Sequence, residues 1–188
     1  GQTNLGNGGA RNRLVSEADG EYCAMLDHDD VCYPDRFRIQ VDYLDSHPET
    51  DLCGGMTDVI DENGKITGRG SFNPAQTHEE LKVTLLFRCC VAQSTVMFRR
   101  QKFVDSGIKY REGNDPADDI HMYTRAIHHL NFANLPVPLV KYRIWEGQMT
   151  GEKLAEQVES AAHSVSYMFE KAGLVQGEQE IEMYKAMI

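Results

Sequence analysis

Apolar residues recur along the chain at two spacings, and the two spacings alternate. Short apolar runs bounded by turn residues predict strands, whereas apolar residues three or four positions apart predict helices. The predicted strands cover residues 21–26, 52–60, 94–99 and 136–144. The predicted helices carry the apolar stripes Ala10, Leu14, Val15 and Ala18; Phe37, Val41 and Leu44; residues 81–87; Ile120, Tyr123, Ile127 and Leu130; and Leu154, Val158, Ala161, Val165 and Met168, with a short acidic helix in 178–188. Strands that alternate with helices predict an α/β domain.

Turn and capping residues mark where several of these elements begin. The glycine-rich residues 6–9 predict a turn that leads into the first helix. The sequence Asp-Glu-Asn-Gly at 61–64 predicts a hairpin turn into a further strand at 65–68. Thr77 and Glu80 have the spacing of a capping box, which predicts the start of the third helix.

Composition limits the class of protein and its partners. The chain has 188 residues and is 41% hydrophobic, which is enough for one domain with its own core. Its formal net charge is −10, so we expect no nucleic acid among its partners. Phosphate ligands are compatible with this charge, because a bound divalent cation reverses the local field. No run approaches the roughly 20 apolar residues of a membrane helix, so no transmembrane segment is predicted.

The cysteines bear on the compartment. There are five of them, an odd number, and they lack the spacing of a metal site. This pattern favours small buried thiols in a reducing compartment. The prediction is therefore a cytoplasmic protein, and a peripheral position at the inner face of the membrane stays open.

A cluster of acids directly follows the predicted buried strand at 21–26. Asp27, Asp29 and Asp30 fall within four residues, and ligands of open α/β sheets bind beyond the carboxyl ends of strands. Neighbouring carboxylates repel one another, so the cluster needs either solvent or a cation. Carboxylate oxygens suit Mg²⁺ or Mn²⁺. The cluster is thus either a cation site or a solvated loop ahead of a helix, with His28 as a spacer.

A second acidic pair, Asp118 and Asp119, stands directly before the apolar stripe of residues 120–130. Aspartate is a preferred helix N-cap, so capping alone explains one of the two. The functional alternative is a general base, in which one carboxylate faces a substrate hydroxyl. Arg11 is one of several scattered arginines, and it is either an ion-pair residue or part of a ligand site.

Taken in order, these segments resemble the family 2 glycosyltransferases, which have the GT-A fold. The matching segments are residues 8–12 (Gly-Gly-Ala-Arg-Asn), 18–22, 26–30, 34–37 with Gln40, 96–100, Asp118-Asp119 with Arg125, and Tyr142-Arg143. The resemblance implies a Rossmann-like mixed sheet flanked by helices. It divides the chain into a catalytic domain over residues 1–150 and a C-terminal helical extension over residues 151–188.

The resemblance also implies an activity. Family members transfer a sugar from a nucleotide donor, such as a UDP-, dTDP- or GDP-sugar, with inversion and with Mg²⁺ or Mn²⁺. The acceptor would be a hydroxyl of a glycan or lipid-linked molecule, in bacterial surface polysaccharide synthesis. Asp29 would hold the metal, Asp27 and Asp30 would bind the nucleotide-sugar, and Asp119 matches the position of the base. Arg11 would either approach the nucleotide or pack within its helix.

Two departures from the family pattern matter. The chain opens at Gly1 in a region that resembles the domain after its first strand-helix-strand segment, which helps to form the nucleobase pocket. Trp145 stands where many members have a histidine near the metal, and it either stacks on a sugar or packs. Both departures motivate the alternative of a truncated or degenerate, non-catalytic nucleotide-sugar-binding scaffold. The helix at 151–171 packs either on its own domain or on a partner, such as a second copy in a homodimer.

Overall fold

A six-stranded mixed sheet forms the centre of the molecule. In this computed structural model, the described residues are 4–70, 75–113, 115–146, 153–174 and 177–185. The strands are β1 (Tyr22–Ala24), β2 (Val31–Cys32), β3 (Leu52–Ile60), β4 (Ile66–Arg69), β5 (Met97–Arg99) and β6 (Phe132–Arg143). Their order is β1-β5-β3-β6-β2, with β4 paired to β3. Only β3 and β6 run parallel to each other, and the other pairs are antiparallel.

Helices flank this sheet, as the alternating pattern predicts. They are α1 (Gly6–Glu17), α2 (Arg36–Ser46), α3 (His78–Thr84), α4 (Arg100–Asp105), α5 (Asp118–Ala126), α6 (Leu154–Lys171) and α7 (Glu178–Lys185). The capping box that starts α3 is confirmed, since the Glu80 amide donates to the Thr77 hydroxyl and the Glu80 carboxylate accepts from the Thr77 amide. The apolar stripe of α5 is buried, with Tyr123 and Ile127 almost inaccessible to solvent.

The central strand β3 is the element that the sequence predicts best. It covers the predicted residues 52–60, and its first six residues are buried. Because it lies between β5 and β6 and residues 52–56 are buried, that stretch is an apolar run rather than an alternating one. The hairpin turn after it is also confirmed, and Gly64 has the positive φ of 83° that such a turn requires.

Two predicted strands are shorter in the structure. The strand predicted at 21–26 is reduced to β1 at the edge of the sheet, where it is half-buried rather than buried. The strand predicted at 94–99 begins only at Met97, because the residues before it form a 3₁₀ turn. There the Thr95 hydroxyl accepts a hydrogen bond from the Gly55 amide at 3.0 Å. This side-chain contact replaces strand pairing at that point.

The glycine-rich segment is not a turn before α1, as predicted, but its first helical turn. A Cβ atom on Gly8 would lie 1.8 Å from the carbonyl oxygen of Arg111. The glycines therefore allow the start of α1 to approach the segment that precedes α5. The Asn12 side chain strengthens this contact, since it both donates to and accepts from the backbone of Tyr110 at 2.9 Å.

The predicted buried face of α2 is only partly correct. Leu44 is fully buried, but Phe37 is 53% exposed, while Arg36 and Gln40 are fully buried. The Arg36 guanidinium donates to the Gln40 side chain and to backbone carbonyls of two neighbouring segments, at 2.7 and 3.2 Å. A buried charge is tolerable when its donors are satisfied in this way.

The long helix α6 packs on its own chain. Ala161 forms a small apolar cluster with Ala117 and Ile120, and Met168 joins the main core. No helix in the described residues is long and apolar enough to cross a membrane. The domain boundary at residue 150 and the homodimer stay predictions, and residues 186–188 of the predicted last helix lie outside the described residues.

Candidate active site

The acidic loop, residues 27–30, and the start of α5 open onto one cleft. Asp27 and Asp29 follow β1, whereas Asp118 and Asp119 form the first turn of α5. All four side chains line a cleft of about 1320 Å³, together with Arg11 and Trp145. The structure thus brings two acidic groups together that lie about 90 residues apart in the sequence.

The three carboxylates of the loop have different surroundings. Asp27 accepts from Arg11 at 2.9 Å and from the Ser94 hydroxyl at 3.1 Å. Asp29 is half-buried and accepts from the indole N–H of Trp145 at 3.0 Å. These two carboxylates therefore line the cleft with hydrogen-bond donors already arranged around them.

Asp30 faces the interior of the loop instead. Its Oδ1 accepts from the Arg143 amide at 2.9 Å, and its Oδ2 is buried without a partner in the described part of the chain. Burial raises the pKa of this carboxyl. Asp30 is not among the residues that line the cleft, so its predicted contact with the nucleotide-sugar stays a prediction.

Arg11 connects the two acidic groups. One guanidinium nitrogen lies 2.6 Å from both oxygens of Asp118, and the other lies 2.9 Å from Asp27. Burial disfavours the charged guanidinium, but the two carboxylates outweigh this, so the pKa of Arg11 lies above its ordinary value. Two nitrogens of Arg11 are thus engaged in ion pairs, and its predicted approach to the nucleotide stays a prediction.

Asp119 is the least compensated carboxylate of the cleft. Its Oδ1 accepts from the adjacent Ile120 amide at 2.8 Å, and in the described residues no side chain donates to it. Burial, followed by the neighbouring charge of Asp118, raises its pKa to about 6. Neither aspartate is the N-cap, a position that Ala117 occupies. A carboxylate with this pKa can accept a proton near neutral pH.

Sequence reasoning did not single out Ser94 and treated Arg143 only as part of a motif. Ser94 contacts Asp27 from a turn 67 residues away, and no local signal marks it. The Arg143 side chain donates to the carbonyl oxygen of Asp29 at 2.8 Å and to those of Asp61 and Glu62. The Tyr-Arg resemblance was the one signal that could have identified this arginine.

The donor atoms of the cleft fit a hard divalent cation. Across the described residues, no group of three or more His, Cys, Asp or Glu side chains could hold a metal ion by itself. Mg²⁺ usually takes only one or two carboxylates and completes its shell with water and substrate phosphates. In the described residues, one oxygen of Asp29 has no hydrogen-bond partner. Asp29 can therefore supply one of the carboxylate ligands that such an ion needs.

Solved structures with the same architecture define the class of fold. The chain superposes on S. aureus TarS in complex with UDP-GlcNAc with a TM-score of 0.65 and 18% identity, over 98% of this chain and 52% of that one. Glucosyl-3-phosphoglycerate synthase from Mycobacterium tuberculosis gives a TM-score of 0.54 and 14% identity, over 94% and 58%. The predicted GT-A-like fold is confirmed.

The sequence comparisons give the family. The profile of Glycosyl transferase family 2 matches residues 1–107, so the chain belongs to this family, as predicted. The amylovoran biosynthesis glycosyltransferase AmsE of Erwinia amylovora is 31% identical over 147 residues, covering 76% of this chain and 52% of AmsE. An uncharacterized glycosyltransferase of Haemophilus influenzae is 27% identical over 158 residues, covering 84% and 57%. The chain spans about half the length of these relatives.

Proposed function

We propose that the protein catalyses inverting, metal-dependent transfer of a sugar from a nucleotide-sugar donor to a hydroxyl group of an acceptor. One observation carries this proposal: Asp119, with a pKa of about 6, opens onto the same cleft as Asp27 and Asp29. A base and a polar binding loop that share a cleft are what transfer to a hydroxyl requires.

The acidic loop serves the donor in this proposal. Asp27 would bind the ribose of the nucleotide, and Asp29 would hold a Mg²⁺ or Mn²⁺ ion. A bound cation would stabilise the negative charge that develops on the leaving diphosphate. Arg11 keeps Asp27 in place through its ion pair. The complexes of the structural neighbour TarS with UDP and with UDP-GlcNAc support a nucleotide-sugar as the donor.

Asp119 serves the acceptor. Its carboxylate takes the proton of the acceptor hydroxyl as the hydroxyl oxygen forms a bond to the anomeric carbon. The bond between that carbon and the diphosphate breaks on the opposite face, so the configuration inverts. The Ile120 amide donates to Oδ1 of Asp119 and leaves Oδ2 for the proton.

The acceptor class is the broadest part of the proposal. We infer a glycan or a lipid-linked acceptor in surface polysaccharide synthesis, with the reaction in the cytoplasm or at the inner face of the membrane. The name of the relative AmsE, an amylovoran biosynthesis glycosyltransferase, supports a polysaccharide context.

Replacement of the base tests the proposal. In Asp119→Asn the side chain keeps its shape but cannot accept the proton, so sugar transfer should fall by about 10²–10⁴-fold. UDP binding in the presence of Mn²⁺, measured by calorimetry, should stay within about twofold of wild type. The control Asp42→Asn, at an exposed position of α2, should change neither quantity.

Two other results would contradict the proposal. Unchanged transfer in Asp119→Asn would remove Asp119 as the base. A protein that binds UDP but transfers no sugar to any acceptor, at any metal concentration, would instead support the non-catalytic scaffold.

A further inference from the structure

We propose that Trp145 is a positioning residue that orients the Asp29 carboxylate toward a divalent cation. The proposal rests on the metal-dependent donor binding of the proposed function. Trp145 lies just after β6 and comes within 3.0 Å of a carboxylate 116 residues earlier in the chain.

The backbone of the acidic loop is held first, by Arg143. The Arg143 amide donates to the Asp30 carboxylate at 2.9 Å, and its guanidinium donates to the carbonyl oxygen of Asp29 at 2.8 Å. Two contacts from the end of β6 therefore hold the main-chain carbonyl of Asp29 and the side chain of the next residue, Asp30. The remaining freedom of Asp29 is the rotation of its side chain.

Trp145 restricts that rotation. Its indole N–H is its single polar side-chain atom and donates to Oδ2 of Asp29. In the described residues, Oδ1 of Asp29 has no hydrogen-bond partner. The carboxylate thus presents one oxygen to a cation and has the other held by a neutral donor. Outer contacts of this kind orient metal ligands, and their loss typically weakens metal affinity by about 10–100-fold.

The exposure of Trp145 argues against a role in packing alone. The residue is 40% exposed, and it belongs to none of the buried apolar clusters of the described residues. A tryptophan that served only to fill the core would be largely covered. Its removal should therefore affect the cation site more than the stability of the fold.

Mn²⁺ binding tests this role without any measurement of turnover. In the presence of saturating UDP, electron paramagnetic resonance distinguishes bound from free Mn²⁺ for wild type and for Trp145→Phe. This substitution retains an aromatic side chain but removes the indole N–H. We expect the affinity of Trp145→Phe for Mn²⁺ to be at least about tenfold weaker, with an unchanged Tm. The control Phe37→Leu removes an aromatic ring that is 53% exposed and does not line the cleft, and it should bind Mn²⁺ like wild type.

The contact itself has a spectroscopic signature, because Trp145 is the single tryptophan of the chain. A ¹H–¹⁵N spectrum should show one indole cross-peak, and the loss of its acceptor in Asp29→Ala should shift that peak upfield. Asp35→Ala, at an exposed position before α2, should leave it unmoved.

The possible failures are distinguishable. If wild type binds Mn²⁺ and Trp145→Phe binds it within twofold, the positioning role is wrong and the proposed function is unaffected. An indole peak that does not respond to Asp29→Ala would likewise overturn the contact. If wild type binds no Mn²⁺ with UDP, dTDP or GDP, the metal dependence of the proposed function fails, and the role of Trp145 fails with it.

Discussion

The acidic loop and the start of α5 both present aspartates to the cleft, and the two groups differ at Asp119. In the acidic loop, Asp27 and Asp29 each accept a hydrogen bond from a side chain. At the start of α5, both oxygens of Asp118 accept from one guanidinium nitrogen of Arg11. Asp119 is left beside it with one backbone donor.

In the proposed function, this difference separates ligand binding, at Asp27 and Asp29, from proton transfer, at Asp119. Donors around a carboxylate favour its charged form, which suits cation or ribose binding, whereas burial and a like charge favour the protonated form. Asp118 contributes to this difference in two ways. It accepts the hydrogen bonds of Arg11, and its negative charge, after burial, raises the pKa of Asp119. The proposal therefore gives two consecutive aspartates different roles: Asp118 pairs with Arg11, whereas Asp119, in the described part of the chain, accepts from no side chain.

Removal of Arg11 should have the largest effect, since this side chain joins the two groups. Arg11 is 15% exposed and Asp118 is 7% exposed, so Arg11→Met leaves a buried carboxylate without its partner. Loss of one member of a buried pair costs about 3–5 kcal/mol. Urea denaturation should show this decrease in the free energy of unfolding.

The same helix supplies the control. Arg13 forms an exposed pair with Glu17, at 48% and 61% exposure, and Arg13→Met should cost less than about 1 kcal/mol. Equal losses in the free energy of unfolding for the two substitutions would mean that the Arg11 ion pairs contribute no more than a surface pair. Arg11 would then not be the residue that stabilises the contact between the two acidic groups.

Asp119→Asn should have a smaller effect than Arg11→Met, and it should stabilise the protein rather than destabilise it. A carboxyl with a raised folded pKa binds its proton more tightly in the folded state, so stability is lost as pH rises from 3.8 to about 6. Asp119→Asn removes this penalty and should raise Tm at pH 8 by about 2–4 °C, the shift that 1 kcal/mol produces in a chain of this size. Scanning calorimetry at pH 8 and at pH 4 should show that the gain shrinks at the lower pH; an equal gain at both would exclude ionisation as its cause.

The smallest effect concerns the pH profile. If Asp119 is the base, kcat/KM should rise with pH through about 6. Asp118→Asn removes the repelling charge while Arg11 stays, so the pKa of Asp119 should fall. The rise of kcat/KM with pH should then shift to lower pH by up to about one unit. An unchanged pH profile would show that the charge of Asp118 does not raise the pKa of Asp119. The control Asp42→Asn should have the wild-type profile.

Local patterns account for much of what the sequence predicts correctly. The boundaries of β3, the hairpin turn at Gly64 and the capping box at Thr77 depend on residues within a few positions of one another. Local signals also singled out the acidic loop and the α5 pair, because neighbouring aspartates after a strand or before a helix are visible in the sequence; that these residues form a functional site stays a prediction. The resemblance to family 2 then assigned them expected roles.

Predictions failed where distant segments meet. The 6–9 segment became helical because its glycines pack against the backbone of Arg111. Arg36 is buried because carbonyl groups from two other segments accept its hydrogen bonds, and helical periodicity contains no information on those partners. The strand at 21–26 was predicted as buried, but its position at the edge of the sheet is a property of strand order.

The sequence by itself determined the α/β class, the family and the identity of the acidic residues, since these follow from spacing and motif order. Only the tertiary structure decided which groups surround each acid. Arg11 reaches Asp118 across 107 residues, and Trp145 reaches Asp29 across 116. The charge state of a carboxylate depends on its burial and on donors within a few ångströms, and folding alone sets those distances.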